Sequence, residues 1–393
     1  MTPGARVAAA IEVLDAYLSG TPAEQALSGW TRGHRFAGSK DRAALRDHVF
    51  DALRRLRSSA ALGGGQDGRA TMIGLLRGQG IDPDSLFTGE GHAPARLSPA
   101  EYASLKDQAD LTRGERLDCP DWLLARFDKS LADQSDAVLD ALRHRAPVFL
   151  RVNTARATRE EVQALLAQDA ISTTPHDLAS TALLVNENPR KINGSRAFLE
   201  GLVELQDAAS QAVIEALNVQ PGMRVLDYCA GGGGKALALA ALGADVVAHD
   251  IAPARMIDLP TRAKRAGCDI KMVTTPKLNT LGDFDLVLAD APCSGSGSWR
   301  RAPQGKWLLD AQRLSSLCQI QSEILTKLSE LTHRKAGNTA EIAYATCSVL
   351  VEENHEQVAQ FVLKHPSYDC VEERQFMPLD GGDGFYVARL RRK

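Results

Sequence analysis

Apolar residues recur at helical spacing through the first part of the chain. Val7, Ile11 and Leu14 fall on one face of a helix, and such a stripe is expected where a helix packs against a core. The stretch 78–100 is instead rich in Gly, Pro and Asp, which predicts an irregular segment or linker. We therefore predict that residues 1–115 form a helical domain.

The pattern changes to a mixture of strands and helices in residues 116–205. The segments VFLRVN at 148–153 and TALLVN at 181–186 favour strands, and REEVQALLAQ between them favours a helix. The next segment, LQDAASQAVIEAL at 205–217, has helical spacing and leads into the following region. We predict a small α+β module over residues 116–205.

Short apolar strands alternate with helices in residues 206–393. The strands are RVLDYCA, ADVVAHDI, FDLVLADAPC and AEIAYATC, and a glycine-rich loop with a helical segment separates the first two. Alternation of this kind predicts an α/β domain with a doubly wound, mostly parallel sheet. In such a sheet, ligands bind at the carboxyl ends of the strands.

A glycine loop follows the first of these strands, in VLDYCAGGGGK at 225–235. Glycine lets the backbone approach a ligand closely, and N–H groups at the start of the next helix can bind a carboxylate or a phosphate. A sharp turn without a ligand needs fewer glycines than these four, so we expect a binding site here. The expected contributors are Cys229, Ala230, Gly231, Gly232, Gly233, Gly234 and Lys235.

Asp250 ends the next strand, fifteen residues after Lys235. An acid at this place can accept hydrogen bonds from ribose hydroxyls, as in dinucleotide-binding folds. It can equally be the N-cap of a helix that begins near Pro253. The glycine loop favours the ribose interpretation.

A cysteine follows another predicted strand, in DLVLADAPCSGSGSWRR at 285–301. Asp290 ends the strand, and Cys293 is followed by a hydroxyl-rich loop. A free cysteine is usually a small buried apolar residue, but these polar, glycine-rich surroundings argue against that here. Arg300 and Arg301 are candidates to bind RNA phosphates.

A second cysteine motif, YATCSVLVEEN at 344–354, puts Cys347 at the end of a later strand. The N-terminus of a helix predicted to follow would lower the pKa of this thiol and make it nucleophilic. Alone, the motif favours a core cysteine. Because Cys293 and Cys347 are both expected at strand ends on the same rim of one sheet, together they favour a functional pair.

Composition restricts the class of protein. The net charge of −3 argues against a polybasic nucleic-acid binder, although a local basic face can still bind RNA. The seven cysteines show neither a CxxC pair nor zinc-ligand spacing, which predicts no metal and a reducing compartment. Residues 1–20 lack the apolar run of a signal peptide, and no stretch is long enough to span a membrane. We expect a soluble, cytoplasmic monomer.

These motifs resemble the RsmB/Sun-type family of RNA cytosine-5 methyltransferases. The resemblance covers most of residues 120–393 and is carried by LRVN, LQDAASQ, VLDYCAGGGGK, DAPCSGSGSWRR, IQSEIL, YATCSVLVEEN and DGFYVARL. Two spaced cysteine motifs in this order are highly specific. Residues 35–42, RFAGSKDR, resemble the helical NusB-like extension of some members, which implies an RNA-binding role for the helical domain.

The resemblance implies roles for the residues that match the catalytic motifs. Cys347 would be the nucleophile that attacks a cytosine, and Cys293 would be needed to release the product. Asp290 and Lys235 would contact the target base. The module at 116–205 would help to bind RNA, and the RNA implied is 16S ribosomal RNA.

The resemblance also implies a Rossmann-like domain that binds S-adenosyl-L-methionine. The loop 229–235, Asp250 and Asp290 would hold the cofactor. Here the sequence departs from the family, which usually reads Ala-Ala-Pro-Gly-Gly-Lys-Thr where this chain has AGGGGKA. The family's Gly-Asp after the third strand, with its Asp near the adenine, is replaced by Thr274 and Thr275, so Thr275 is the expected contact.

Three alternatives stay open. The first is methylation of cytosine in tRNA. The second is a DNA cytosine-5 methyltransferase, in which the cysteine of a Pro-Cys dipeptide, here Cys293, is the nucleophile and Cys347 has no role. The third is an RNA-binding or assembly factor whose cofactor site has decayed, which the altered glycine loop favours.

Overall fold

A computed structural model describes residues 1–332 and 340–393. Its contacts divide the chain into two compact units. The first consists of Met1–Arg145 and Trp299–Leu308, and the second of Ala146–Ser298 and Leu309–Lys393. The first unit therefore draws on a segment that follows Cys293 closely in the sequence.

The first unit is helical around a core of alanine, leucine and valine, as the apolar spacing predicts. Thr2 caps its first helix by accepting a hydrogen bond from the Ala5 N–H, and Asp67 caps the fifth in the same way through Ala70. The helices are α1 (Pro3–Leu18), α2 (Ala23–Gly33), α3 (Ser39–Arg54), α4 (Leu56–Leu62), α5 (Gly68–Gly78), α6 (Pro99–Ser104), α7 (Arg113–Arg116), α8 (Asp121–Leu131) and α9 (Ser135–Ala141).

The first unit extends beyond residue 115, the boundary that the sequence predicts. Phe127 on α8 is fully buried, and its ring lies 5.9 Å from the ring of Trp299. Asp118, also buried, accepts hydrogen bonds from Ser58 and Arg143. These contacts place α8 and α9 in the helical unit, although their sequence adjoins the α+β module.

The α+β module forms a small antiparallel sheet with strand order β2-β3-β1-β4. Its core includes Leu150 and Val152 on the first strand and Val162 and Leu166 on the helix that covers it. The sequence-predicted strands at 148–153 and 181–186 are confirmed. The elements are β1 (Val148–Val152), α10 (Arg159–Gln168), β2 (Thr173–Pro175), β3 (Ala182–Val185), α11 (Arg196–Leu199) and β4 (Val203–Leu205).

The rest of the second unit is the predicted doubly wound domain. Its sheet has the order β10-β11-β9-β8-β5-β6-β7, in which β9 to β7 are parallel and β11 and β10 are antiparallel. The elements are α12 (Ala208–Ala216), β5 (Arg224–Asp227), α13 (Gly234–Ala241), β6 (Asp245–His249), α14 (Leu259–Ala266), β7 (Lys271–Val273), β8 (Leu286–Asp290), α16 (Ala311–Thr332), β9 (Glu341–Thr346), α17 (His355–Lys364), β10 (Tyr368–Phe376) and β11 (Phe385–Arg392). The helix between β8 and α16 in sequence, α15 (Gln304–Leu308), belongs to the first unit.

Strand order fixes where a ligand can bind. The chain runs outward from β5 through β6 to β7 and then returns to β8 on the other side of β5. A crevice forms at such a reversal, at the carboxyl ends of the strands. Asp227 and Asp290 end the two strands that flank it, and Thr346 ends the next one.

One sequence prediction at the start of this domain is wrong. Leu205 was expected in a helix over 205–217, but it ends β4, which pairs with β1 through Leu150. The helix starts three residues later because Asp207 caps it, accepting a hydrogen bond from the Ala209 N–H. The pairing of β4 with β1 overrides the helical spacing.

Asn153 joins the module to the doubly wound domain within the second unit. Its buried amide donates to the carbonyl oxygen of Gly201, 3.0 Å away, and to that of Ala266 at the end of α14, 2.9 Å away. We expect Asn153→Ala to lower the free energy of unfolding by about 2 kcal/mol, because two carbonyl groups lose their donor. Urea denaturation followed by circular dichroism measures this, with the exposed Asn186→Ala as control. Equal losses in both variants would contradict the assignment.

Candidate active site

A cavity of about 270 Å³ opens at the crevice between β5 and β8. It contains most of the glycine loop predicted as a binding site, together with both strand-terminal aspartates. The lining residues are Gln206, Ser210, Asp227, Cys229, Ala230, Gly231, Gly232, Gly234, Lys235, Arg255 and Asp290.

The glycine loop needs glycine at two of its four positions. Gly231 and Gly233 have φ angles of +51° and +79°, which residues with a side chain rarely adopt. A Cβ atom on Gly233 would also lie 2.3 Å from Leu259. Two arginines hold the loop through its carbonyl oxygens, Arg151 at Gly234 and Arg262 at Gly232.

Asp250 binds the glycine loop directly. Its carboxylate is 1% exposed and accepts hydrogen bonds from the Gly231 N–H at 2.9 Å, the Ala252 N–H at 2.9 Å and the Arg255 guanidinium at 3.1 Å. The N-cap alternative is wrong, since a 3-10 helix does begin at Pro253 but Ala252 is its N-cap residue and no side chain caps it. The ribose contact stays a prediction.

Thr275 lies after β7 and does not line the cavity. Its hydroxyl is 2.9 Å from Nε2 of His249, whose Nδ1 is 2.7 Å from the carbonyl oxygen of Tyr228. Because a carbonyl only accepts, Nδ1 carries the proton and Thr275 donates to Nε2. Burial lowers the pKa of His249, in keeping with a neutral ring. Sequence reasoning did not select His249.

Lys235 and Asp290 form an ion pair beside the cavity, with 2.6 Å between Nζ and Oδ2. Lys235 is 7% exposed and its ammonium lies 4.9 Å from the centre of the Phe385 ring. Burial lowers the pKa of Lys235, but the attraction of Asp290 outweighs it and the pKa is raised. Lys235 is therefore charged, and Asp290 is 33% exposed at the cavity.

Asp227 is a site residue that sequence reasoning missed. It is fully buried, and among the described residues neither of its carboxylate oxygens has a hydrogen-bond partner. Burial raises its pKa to about 7, and repulsion from Asp290 adds to the effect. Its position in the sequence could have indicated it, because it is the last residue of the strand that leads into the glycine loop.

The structure brings the two motif cysteines together. The sulfur atoms of Cys293 and Cys347 are 3.4 Å apart, and both residues are partly exposed. Main-chain bonds hold the two loops, from the Ala291 N–H to the Ala345 carbonyl and from the Gly297 N–H to the Cys347 carbonyl. The hydrogen bond with Cys347, burial and repulsion from Cys347 all raise the pKa of Cys293.

The helix expected to follow Cys347 begins farther along than predicted. A turn over Val351–Glu353 intervenes, and α17 starts at His355, eight residues after the cysteine. The first turn of α17 is therefore not adjacent to the thiol in sequence.

The two arginines predicted to bind phosphate belong to the first unit. Arg300 is 6% exposed, and its carbonyl oxygen accepts a hydrogen bond from Arg54. Arg301 is exposed. Of the described residues, no helix is long and apolar enough to cross a membrane, and no cluster of three His, Cys, Asp or Glu side chains suits a metal ion.

Two family models match the chain. One, described as 16S rRNA methyltransferase RsmB/F, matches residues 214–391, and the other, described as a RsmF/B-like ferredoxin-like domain, matches residues 119–192. Ribosomal RNA small subunit methyltransferase B of Yersinia enterocolitica is 37% identical over 287 residues, 69% of this chain and 66% of that protein. The chain thus spans just under two thirds of that relative.

Solved structures share the fold. The crystal structure of PH0851 has a TM-score of 0.76 at 22% identity and covers 100% of this chain and 99% of its own. NSun6 from Pyrococcus horikoshii, solved with SFG, has a TM-score of 0.61 at 17% identity and covers 70% of this chain and 98% of its own.

The proton on Asp227 makes stability depend on pH. Since its folded pKa is about 7 against an ordinary 3.8, the folded protein binds this proton more tightly than the unfolded chain. The associated stability is present below about pH 4 and is lost as the pH rises through about 7. Asp227→Asn should therefore be more stable than the unchanged protein at pH 8, on the order of 2–4 kcal/mol, and about equal to it at pH 4.

Melting temperatures at the two pH values measure this effect. The control is Asp245→Asn, because Asp245 is exposed at the other end of a neighbouring strand. A stability difference for Asp227→Asn that is the same at both pH values would show that Asp227 does not carry the proton.

Proposed function

Because residues 119–192 and 214–391 belong to the RsmB/F methyltransferase family, we propose that this chain transfers a methyl group from S-adenosylmethionine to carbon 5 of a cytosine in RNA. The observation that carries the proposal is the pair of thiols 3.4 Å apart. One nucleophilic sulfur is needed to activate carbon 5 before it takes the methyl group from the sulfonium. A second sulfur at contact distance suits the later release of the product.

The residues around the cavity fit the cofactor. Asp227 presents a buried carboxylate without a partner among the described residues, which suits a cationic ligand. The glycine loop offers close backbone approach at Gly231 and Gly233. Asp250 keeps this loop in place through the Gly231 N–H and would also face the ribose. The cofactor, when bound, supplies an electrophilic methyl group.

The cysteines supply covalent catalysis. Carbon 5 of cytosine is too weak a nucleophile to take a methyl group unaided, so the Cys347 thiolate adds to carbon 6 and makes carbon 5 enamine-like. Asp290 uses Oδ2 for Lys235, which leaves Oδ1 to accept a hydrogen bond from N3 once that nitrogen has taken a proton from water. After transfer, water takes the proton from carbon 5 and the electron pair of that bond restores the double bond to carbon 6. The electron pair of the carbon–sulfur bond returns to Cys347, and N3 gives its proton back to water. Cys293 assists this last stage.

The RNA proposed as substrate is small-subunit ribosomal RNA. The support is the name of the curated relatives, ribosomal RNA small subunit methyltransferase B. The target base must be splayed out to reach the thiolate, so a single-stranded or opened region is expected. Methylation of a tRNA cytosine is the alternative, and the two differ only in which RNA carries the product.

An exposed aromatic corner on the first unit suits RNA. Trp30 and His34 are stacked with ring centres 4.1 Å apart, and the Phe36 ring meets His34 edge-on at 5.7 Å. Phe36 is 73% exposed, so its face is open to a base. Two exposed cations beside it, Arg35 and Lys40, form no ion pair within the described chain and suit phosphates.

We expect Cys347→Ser to abolish methylation and Cys293→Ser to accumulate a covalent protein–RNA adduct, because the second variant can attack but releases product slowly. Methylation is measured by transfer of tritium from labelled cofactor to small-subunit rRNA, and the adduct by a denaturing gel. Cys370→Ser is the control, since Cys370 lies on β10 away from the motifs.

Two results would change the proposal. An active Cys347→Ser with an inactive Cys293→Ser would reverse the roles, as in the DNA enzymes. Failure of the unchanged protein to bind S-adenosylhomocysteine in calorimetry would favour the RNA-binding factor.

We expect Phe36→Ala to weaken RNA binding by roughly tenfold, because stacking on an aromatic face contributes about 1–3 kcal/mol per base. Arg35→Gln should lower the magnitude of the slope by about one in a plot of the logarithm of the RNA-binding constant against the logarithm of the salt concentration. Filter binding with small-subunit rRNA over a salt series measures both. Leu363→Ala is the control, as an 82% exposed leucine on the other unit. Equal binding by Phe36→Ala and Leu363→Ala would exclude this corner as an RNA contact.

A further inference from the structure

A buried carboxylate joins the two cysteine loops. Glu353 is 0% exposed and lies in the turn that follows the Cys347 loop. Its Oε1 accepts from the Ser294 N–H at 2.8 Å and from Gln321 at 3.0 Å. Its Oε2 accepts from the hydroxyls of Ser294 and Ser348, each at 2.5 Å. The two serines directly follow the two cysteines, so one side chain holds both loops.

The bonding pattern suits an ionised Glu353. Its two oxygens accept hydrogen bonds from two N–H groups and two hydroxyls. All four donors are neutral, and within residues 1–332 and 340–393 no cation forms an ion pair with Glu353. A negative charge therefore sits unneutralised next to a pair of thiols.

Glu353 is linked by more hydrogen bonds to the residues that flank Cys293 than to those that flank Cys347. Ser294 gives Glu353 both its main-chain N–H and its hydroxyl, and Gln321 links Glu353 to the carbonyl oxygen of Pro292, 3.0 Å away. Cys293 is thus held from both flanking residues. Repulsion from Glu353 is among the causes that raise the pKa of Cys293, after its bond to Cys347 and its burial.

A positive charge lies near Cys347. The Lys235 ammonium rests on the Phe385 ring, and Cys347 packs against the hydrophobic cluster that contains Phe385. The charges of Lys235 and an ionised Cys347 attract each other, although Lys235 is also paired with Asp290. A buried anion is therefore bonded to the residue after Cys293, and a buried cation interacts with Cys347.

We propose that Glu353 is a positioning residue that fixes the direction of the thiol–thiol hydrogen bond. Cys293 keeps its proton and donates it to Cys347, and Cys347 is the thiol that gives up its own proton to solvent. The two cysteines therefore differ in protonation before any substrate binds. The significance for catalysis rests on the proposed function, in which Cys347 attacks carbon 6 and Cys293 later assists the release of the Cys347 sulfur.

Thiol alkylation tests the proposal on the full chain without RNA or cofactor. The protein is treated with iodoacetamide at pH 8, and the rates at Cys293 and Cys347 are read separately by peptide mass spectrometry. In the unchanged protein Cys347 should react faster. In Glu353→Gln the rate at Cys293 should rise about threefold to tenfold relative to Cys347, since a tenfold change in thiolate fraction corresponds to one pKa unit.

Further variants separate charge from structure. Glu353→Asp keeps the charge and should restore most of the ratio, whereas Ser294→Ala, which removes one hydroxyl donor and keeps the charge, should leave the ratio within about twofold. Glu323→Gln removes a charge from the exposed face of α16 and is the matched control. A loosened loop would raise the alkylation rate at both thiols, whereas an effect of charge raises the rate at Cys293 and leaves the rate at Cys347 nearly unchanged.

Three outcomes would overturn the proposal: faster alkylation of Cys293 in the unchanged protein, an unchanged ratio in a folded Glu353→Gln, or a ratio in Glu353→Asp that stays as in Glu353→Gln. If Glu353→Gln does not fold, the ratio in Glu353→Asp and Ser294→Ala decides, because a large change in either contradicts a role through charge. These rates are independent of the methylation assay, so failure here is distinct from failure of the proposed reaction.

Discussion

The parallel pairing of β8 with β9 is the constraint on which the candidate site depends. Asp290 on one strand lies in register with Ala345 on the other, so each strand delivers a cysteine loop to the same rim. The loops then bond to each other, and their sulfur atoms come within 3.4 Å. Two motifs separated by 54 positions in sequence become neighbours because parallel strands must end at one edge.

Electrostatics at this rim is organised by burial. Lys235, Asp227 and Glu353 are buried charged or titratable groups at one sheet edge, and Asp290 beside them is partly exposed. Lys235 and Asp290 neutralise each other, whereas Asp227 and Glu353 have no cationic partner among the described residues. A low-dielectric site with unbalanced charge is suited to a cationic ligand at one end and to selective ionisation of a thiol at the other.

The sequence predicts those parts of the site that depend on strand ends and local motifs. Cys293, Cys347 and the glycine loop follow apolar strands directly, so their common rim can be inferred from the alternation of strands and helices. The role of Glu353 cannot be predicted in this way, because its partner Ser294 is 59 residues away and no local sequence motif indicates the contact. The strand conformation of Leu205 cannot be predicted in this way either, since its pairing partner belongs to a strand far upstream.

The composition of the helical unit has a consequence for synthesis of the chain. Trp299 and Lys306 are both buried in that unit, and burial lowers the pKa of Lys306 to about 8. A ribosome therefore synthesises residues 1–145 well before Trp299. The Phe127 ring on α8 gains its contact with the Trp299 ring only after some 150 further residues have emerged. Nascent-chain folding of this protein is accordingly discontinuous, with the first unit begun first and finished late.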